Sequence, residues 1–500
     1  MGSYDAIVIG AGNGGLTAAA TLAKEGAKVL MLERHNIPGG CGTSFCRGRF
    51  EFEVALHQLS GIGTDKMPGP LRSLLESLGV FEKLEFIEMK DLYRVVLPGE
   101  LDVTLRPDRK LIIEELSKKF PEEKEGIEGF IGLVFDYFNE VIKAFIFKDP
   151  EVTREKYPLY FKYALMDTQK ILDKYLKGPK LKLALSVYWT YAGMSPEKLA
   201  FHEIAAMLFV YIFFKPYHLK GGSQAMSSAI ADVILDNGGE IRYNTGVRKI
   251  IIEDGAAKGV VTDKGEDVRA SFVVSNASKI STYTELVDKE FVPDKLVDEM
   301  KQASIGPSAI TIYMGLDCSA EELGITESTN FLVTSVDMEK GYDDMSRFET
   351  DDASMLLTCY NIMDESFSPP GTCQIALVTL KYGEPWLNVP PTEYTAEKYR
   401  CAGKMLEQAE KSFPGLRDHI EEMEIATPIT HLRYLNHPKG AIYGFDEHTK
   451  DSSNFISSAP TIEGLYNVGA WIGMGGFQPT LASGVSAARS ILKKIGKRGE

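Results

Sequence analysis

The first forty residues constrain this chain more than any other part of it. Tyr4 to Gly10 reads YDAIVIG, an apolar run rich in β-branched residues that suits a buried parallel strand. It runs directly into Gly10-Ala11-Gly12-Asn13-Gly14-Gly15, followed by the helix-forming run Leu16 to Lys24. A second apolar run, Lys28 to Leu32, ends on Glu33. The order is strand, G-x-G-x-x-G, helix, strand, acid, and each part has a mechanical reason. Gly10 permits the tight turn, Gly12 lets a pyrophosphate approach the backbone, and Gly15 lets helix and strand pack closely. The helix N-terminus offers free N–H groups and a positive dipole end to phosphates. Glu33 stands eighteen residues after Gly15, where a carboxylate accepts both hydroxyls of an adenosine ribose. A dinucleotide-binding βαβ unit follows.

The residues beyond Glu33 select the dinucleotide. A second glycine pair, Gly39-Gly40, comes six residues later in RHNIPGGCGTSF. It resembles the extended fingerprint of FAD enzymes in the glutathione-reductase and amine-oxidase superfamily, where such a doublet passes close to the cofactor. No second G-x-G-x-x-G occurs in a strand–helix context, so no NAD(P) domain is expected, and an external electron carrier (a quinone, a flavodoxin or oxygen) would serve instead.

A chain of 500 residues exceeds one ordinary core. With 44% apolar and 25% charged residues it has a globular composition, and its net charge of −15 argues against nucleic acid as a partner. The longest apolar run, Ile204 to Phe214, is too short to span a bilayer. The first strand starts at once, with no signal-peptide pattern, and the six cysteines are scattered without a CxxC pair. A cytoplasmic setting is expected, with peripheral contact at a membrane as a second expectation.

Further along, Arg47 to Leu56 (RGRFEFEVAL) alternates and reads as a strand. Gly69 to Phe214 reads as helices, with Leu71 to Leu78, Lys110 to Phe120 and Phe130 to Phe147 at helical spacing. Gly222 and Ser223 open a helix with Ser223 as a candidate N-cap, and Gly238-Gly239 closes it. Strands are expected at Glu240 to Tyr243, Val247 to Ile252, Gly259 to Thr262, Ser271 to Ser275 and Leu465 to Val468, then a Gly-rich loop and a terminal helix. The chain thus returns twice to the nucleotide-binding fold. Residues 1–65, 219–290 and 437–500 are expected to form a discontinuous FAD-binding domain. Residues 66–218 and 291–436 would form a mixed α+β substrate domain with a helical lid.

These blocks together resemble the family of bacterial phytoene desaturases, carotenoid isomerases and retinol saturases. The likeness lies in the N-terminal sixty residues, KGGSQA…VVSNAS (220–278), HPKGAIYGF (437–445) and GLYNVGAWIGMGGFQPTLASG (464–484). GGCGTSF and FEFEVALH are most similar to the retinol-saturase branch. Where the family often has Asp and Gly in its hairpin, this chain has Glu53 and Ala55. Where many members carry an acid after the C-terminal Val-Gly, it has Ala470.

The resemblance implies an α/β, glutathione-reductase-like FAD fold. It also implies noncovalent FAD and redox chemistry on carbon–carbon bonds of an apolar isoprenoid or polyene. Gly10, Gly12, Gly14, Gly15, Glu33, Arg34, Gly39, Gly40, Cys41 and Thr43 would hold the ADP half, and Val247 would pair its backbone with the adenine. Gly469, Ala470, Gly475, Gly476, Phe477, Gln478 and Thr480 would meet the flavin end. Reduced flavin carries negative charge at its pyrimidine side, which suits a helix N-terminus beginning near Gln478-Pro479-Thr480. A double-bond isomerase, an amine oxidase-like flavoenzyme and a non-catalytic flavin or lipid carrier remain the alternatives.

Within those blocks, His57 either stands beside the flavin or serves as a hydrogen-bonded structural histidine. Tyr443 and Gln478 are further catalytic candidates, with pocket lining the better role for Tyr443. His202-Glu203 lacks a second His at metal spacing, so no metal is expected. Asn276-Ala277-Ser278 matches a glycosylation acceptor by chance in a cytoplasmic chain. The aromatic-rich 188–217 forms either core or an apolar tunnel. Residues 154–182 carry eight Lys/Arg against three Asp/Glu, which reads as a solvated face or as a lipid-docking patch.

Overall fold

A computed structural model describes residues 4–446, 461–473 and 475–496; the remainder of the expected third nucleotide-binding segment, 447–460 included, lies outside the described residues. The N-terminal reading is realised locally. Strand β1 (Tyr4–Ile9), helix α1 (Asn13–Lys24) and strand β2 (Val29–Leu32) follow in order. β1 pairs in parallel with β2 on one side and with Asp267–Ser275 on the other. Glu240–Arg242 extends the sheet beyond β2, and Leu465–Asn467 pairs in parallel with Asp267–Ser275. The front half of Asp267–Ser275 instead joins Ala256–Thr262 and Val247–Glu253 in an antiparallel meander. Ala6 to Val8 and Val29 to Leu32 are fully buried, as a strand covered on both faces requires.

Small residues set the helix spacing. α1 contributes Ala18, Ala19, Ala20 and Ala23 to the core. The C-terminal helix Phe477–Lys494 crosses it at Gly484, where a Cβ would sit 2.0 Å from the Gly14 carbonyl oxygen. Thr17 Oγ1 donates to the Leu481 carbonyl at 2.8 Å across the same contact. Two helices from opposite ends of the chain are thereby locked side by side.

The second sheet runs in the order Ile420–Ala426, Ser308–Leu316, Cys373–Lys381, Met355–Cys359, Thr329–Leu332, Tyr93–Leu97, Leu101–Leu105. Period-two alternation divides its side chains. Ile310, Ile312, Leu357 and Leu377 face the helix Tyr394–Ala409, whereas Tyr93, Val95, Phe331 and Leu356 face the helices between residues 109 and 213.

Several elements depart from the sequence reading. Arg47 to Leu56 is not one strand. Ser44–Arg47 (β3) and Phe50–Glu53 (β4) form a hairpin that turns at Gly48, whose φ is +51°. His57 therefore stands in the loop after β4 rather than at a strand end. The stretch read as helices contains the hairpin Tyr93–Leu97/Leu101–Leu105, which completes the second sheet. Pro70–Leu78, past residue 65, buries Leu71, Leu75 and Leu78 in the same core as α1. The Phe130 to Phe147 helix is α-helical over Lys124–Val141 and widens into a π turn over Ile142–Ile146. Ser223 is no N-cap. Gly221, at φ +75°, holds that position for the helix Gly222–Asp236.

Candidate functional site

One cavity of about 650 Å³ runs from the glycine loop to the underside of the second sheet. At one end it is walled by Gly10, Gly12, Asn13, Gly14, Glu33, Arg34, Gly39, Gly40 and Val247. Gly469, Ala470, Gly475, Gly476, Phe477, Gln478 and Thr480 border its middle. Beyond them lies an apolar chamber between Phe331, Leu356, Val378 and Leu380 of the sheet and Leu183, Val187, Met207 and Val210 of the helices.

The glycine loop is closed by contacts that leave no space for side chains. A Cβ on Gly15 would lie 2.0 Å from the Gly10 carbonyl oxygen, and one on Gly14 would lie 2.7 Å from the Gly469 nitrogen. Gly39 N–H donates to the Ala11 carbonyl at 2.8 Å, so the second glycine pair rides on the first. Glu33 accepts from the Ala11 and His35 N–H groups at 2.6 and 2.7 Å, which fixes its carboxylate at the cavity wall.

Neither helix that ends on the wall has a side-chain cap: α1 starts after Gly12, and Phe477–Lys494 starts after Gly476 at φ +94°. Their first N–H groups are left for a ligand. An uncapped N-terminus beside a carboxylate at one end, and a second uncapped N-terminus further in, fit the pyrophosphate, ribose and flavin parts of FAD.

Of the residues picked from the sequence, Gly10, Gly12, Gly14, Glu33, Arg34, Gly39, Gly40, Cys41, His57, Val247, Tyr443, Gly469, Ala470, Gly476, Phe477, Gln478 and Thr480 line this cavity. Two do not. Gly15 is spent on the helix–strand contact, and the Thr43 hydroxyl turns to Gln224 Oε1 at 2.6 Å. Burial pushes the Cys41 thiol up to about 11, so it is a neutral thiol. Burial also lowers the His57 imidazole to about 4, and its Nδ1 lies 3.1 Å from the Tyr360 hydroxyl. The Gln478 amide donates to the Ser60 carbonyl, tying the C-terminal helix to the loop after His57.

Sequence reasoning missed Asn276, which stands directly beyond the strand Asp267–Ser275. Its N–H donates to the Ile9 carbonyl at 2.9 Å, and its side chain is the nearest neighbour that a Cβ on Gly12 or Gly469 would meet, at 2.7 and 2.6 Å. The one available signal was topological: a residue just past a strand adjacent to β1 arrives at the same loop.

Glu53, noted only as a departure from the family pattern, is 2% exposed. It accepts from Ala55 N–H, Leu56 N–H, Ser223 N–H and the Ser223 hydroxyl. A carboxylate at the N-terminus of the helix Gly222–Asp236 complements its dipole and fastens β4 to it. Burial raises its pKa above the ordinary carboxylate value, against the pull of those four hydrogen bonds. Away from the cavity, Asp317, Cys318 and His419 bring three donor atoms within 4.8 Å; Asp317 and His419 already pair with each other at 2.8 Å.

The fold and cavity define a flavoenzyme of the FAD-dependent oxidoreductase class. The profile of the flavin containing amine oxidoreductase family matches residues 14–492, and the chain belongs to that family. FAD is its cofactor. Among its relatives, the chloroplastic prolycopene isomerase of Arabidopsis thaliana is 30% identical over 99% of this chain and 83% of its own length. The all-trans-retinol 13,14-reductase of Danio rerio is 24% identical over 98% and 86%. A 4,4'-diapophytoene desaturase of a Methylomonas species is 27% identical over 92% and 86%. The crystal structure of an oxidoreductase from Methanosarcina mazei shares the fold, with a TM-score of 0.65, 19% identity and coverage of 98% of this chain and 100% of that one.

Proposed function

We propose that this protein is an FAD-dependent oxidoreductase that adds or removes hydrogen across a carbon–carbon bond of an apolar, polyene-type substrate. The observation that carries the reading is the continuity of the cavity, which leads from the cofactor residues into a chamber walled by Phe, Leu, Val and Met side chains. Such a chamber suits a long apolar molecule whose recognition rests on shape and burial. The relatives act in three directions by name, as isomerase, reductase and desaturase, and all are named for polyene or terpenoid compounds.

In this reading Glu33 accepts the ribose hydroxyls, and the glycine loop with the α1 N-terminus holds the pyrophosphate. The Val247 backbone pairs with the adenine, and the segment 469–480 surrounds the flavin. Bound FAD supplies a hydride acceptor or donor at its N5 position. The protein's own part is to position and to exclude water. Tyr191, Tyr211 and Tyr443 line the passage between the two ends, and burial raises the first two phenols well above their ordinary value. They stay protonated. His57 stays neutral near pH 7, which favours an orienting and packing role over proton donation. In this reading 1–65, 219–290 and 437–500 bind FAD together with Pro70–Leu78, and the rest of 66–218 and 291–436 binds substrate.

The test is spectroscopic. Oxidised and prereduced protein are mixed separately with conjugated polyenes under argon. Loss of colour from the oxidised protein marks desaturation, and return of colour to the prereduced protein marks saturation. Isomerised product with no net colour change would favour the isomerase reading. No response in either state, with a polyene shown to enter the protein, would contradict the proposal.

A further inference from the structure

Twelve large hydrophobic side chains are exposed among the described residues, and five of them fall between residues 145 and 165. Phe147 is 75% exposed, Ile146 66%, Leu165 58%, Phe145 44% and Phe161 40%. They form one surface. The π turn that carries Phe145 and Ile146 meets the short helix Pro158–Tyr163, where the Phe145 and Tyr160 rings lie 4.8 Å apart and Tyr160 and Phe161 5.3 Å apart. Soluble surfaces scatter such residues; a cluster has a partner.

Charge indicates which partner. Residues 143–165 hold five Lys/Arg against three Asp/Glu, in a chain whose net charge is −15. Lys143 and Lys148 flank the aromatic tip and make no ion pair among the described residues, and the Arg154 guanidinium lies 5.8 Å from the Phe161 ring centre. In the basic stretch expected from the sequence, 154–182, five of the eight cations are engaged with other side chains. Lys156 is paired with Asp149, Lys170 with Asp167, Lys180 with Glu100 and Lys182 with Asp173, while Lys174 donates to the Tyr163 hydroxyl. Lys162 and Lys177 of that stretch are exposed and stand outside these ion pairs.

We propose that the tip formed by Phe145, Ile146, Phe147, Phe161 and Leu165, ringed by Lys143, Lys148 and Arg154, docks onto an anionic lipid bilayer. The apolar side chains enter the headgroup boundary, and the cations meet lipid phosphates and carboxylates. The helix behind the tip, Lys124–Val141, packs through Phe135 and Phe138 against Phe209 of the helix Phe201–Phe213, whose opposite face lines the cavity with Met207 and Val210. Two packed helices thus lead from the docked surface to the chamber. The purpose of such docking, extraction of an apolar substrate from lipid, rests on the function proposed above; the docking itself does not.

The experiment is flotation of the holoprotein with phosphatidylcholine vesicles, with and without phosphatidylserine, at low and high salt. Binding is expected to require phosphatidylserine and to weaken with salt. The Ile146→Ser/Phe147→Ser variant should partition at least about tenfold more weakly. Lys143→Glu/Lys148→Glu should abolish the preference for phosphatidylserine. All four side chains are exposed, so both variants should melt as the wild type does. Wild-type protein that stays off both kinds of vesicle, or variants that bind as it does, would overturn the proposal. So would a dimer that Phe147→Ser dissociates and that ignores vesicles, since the occupant would then be a second copy of this chain. Polyene turnover from detergent micelles separates the two claims: turnover without vesicle binding overturns docking alone, and vesicle binding without turnover overturns the polyene reading alone.

Discussion

At the scale of single residues, the glycine-lined end of the cavity is built from absences of side chains. Gly14 is the sharpest case, since its Cβ would meet the backbone nitrogen of Gly469 rather than a movable side-chain tip. Gly14→Ala should force apart the glycine loop and the loop at Gly469. A cost of about 1–3 kcal/mol is expected from the overpacking, with reduced FAD content in protein that still folds, read from the absorbance ratio and melting midpoint. Gly12→Val places three carbons beside Asn276 and on the cavity wall, and should abolish FAD retention. Buried imidazoles supply a second test. Burial holds His57, His431 and His437 at about 4. An imidazole depressed in the folded state binds its proton more readily when unfolded. Its stabilising share is therefore present above the unfolded value of about 6.5 and is lost as pH falls toward 4. The melting midpoint should drop across that window, and His57→Gln should make the drop shallower. An identical slope in wild type and variant would remove His57 from the account.

At the scale of elements, Glu53 joins the β3–β4 hairpin to the helix Gly222–Asp236 with four accepted hydrogen bonds. Glu53→Gln replaces one acceptor oxygen by an NH₂ group that must face N–H or O–H donors. A loss of about 1–3 kcal/mol in denaturant unfolding is expected, and Glu53→Asp should lose bonds through its shorter reach. An unchanged unfolding midpoint in Glu53→Gln would contradict this.

Such a junction also shows what the sequence could disclose. β1, α1 and β2 were legible because their turn, cap and periodicity are local, and the cavity-lining glycines came with them. The hairpin was read as one strand because FEFE continues the alternation of the preceding residues and only Gly48 marks the turn. The hairpin Tyr93–Leu97/Leu101–Leu105 was hidden among helices because the strand that ties it into the sheet, Thr329–Leu332 beside Tyr93–Leu97, lies more than two hundred residues away. Asn276 and Ser223 were misread for the same reason: their partners, Ile9 with the glycine loop and Glu53, are distant in sequence. Of the aromatic stretch 188–217, Tyr191 and Tyr211 came to line the cavity while Tyr188 and Phe209 entered the core, a division that no composition could give.

At the scale of the molecule, two sheets share one cavity, with the glycine loop on one side and an apolar chamber on the other. The cofactor should come away as FAD, one per chain, on acid precipitation, since the blocks that border the flavin end contain no cysteine for attachment; release of FMN or NAD from folded protein would contradict that. No helix among the described residues is long and apolar enough to cross a membrane. With a single dinucleotide fingerprint, NAD(P)H alone should fail to bleach the flavin at a useful rate, and a quinone, flavodoxin or oxygen should complete the cycle. Rapid, saturable bleaching by NAD(P)H would overturn the electron-carrier expectation and leave the FAD assignment standing.

The most direct test of the central claim is chromatography with mass detection of what the holoprotein does to a polyene and an aliphatic amine offered together. The expected result is a polyene changed by two hydrogens with the amine recovered intact. A polyene recovered unchanged in mass and geometry, with the amine consumed, would contradict the account.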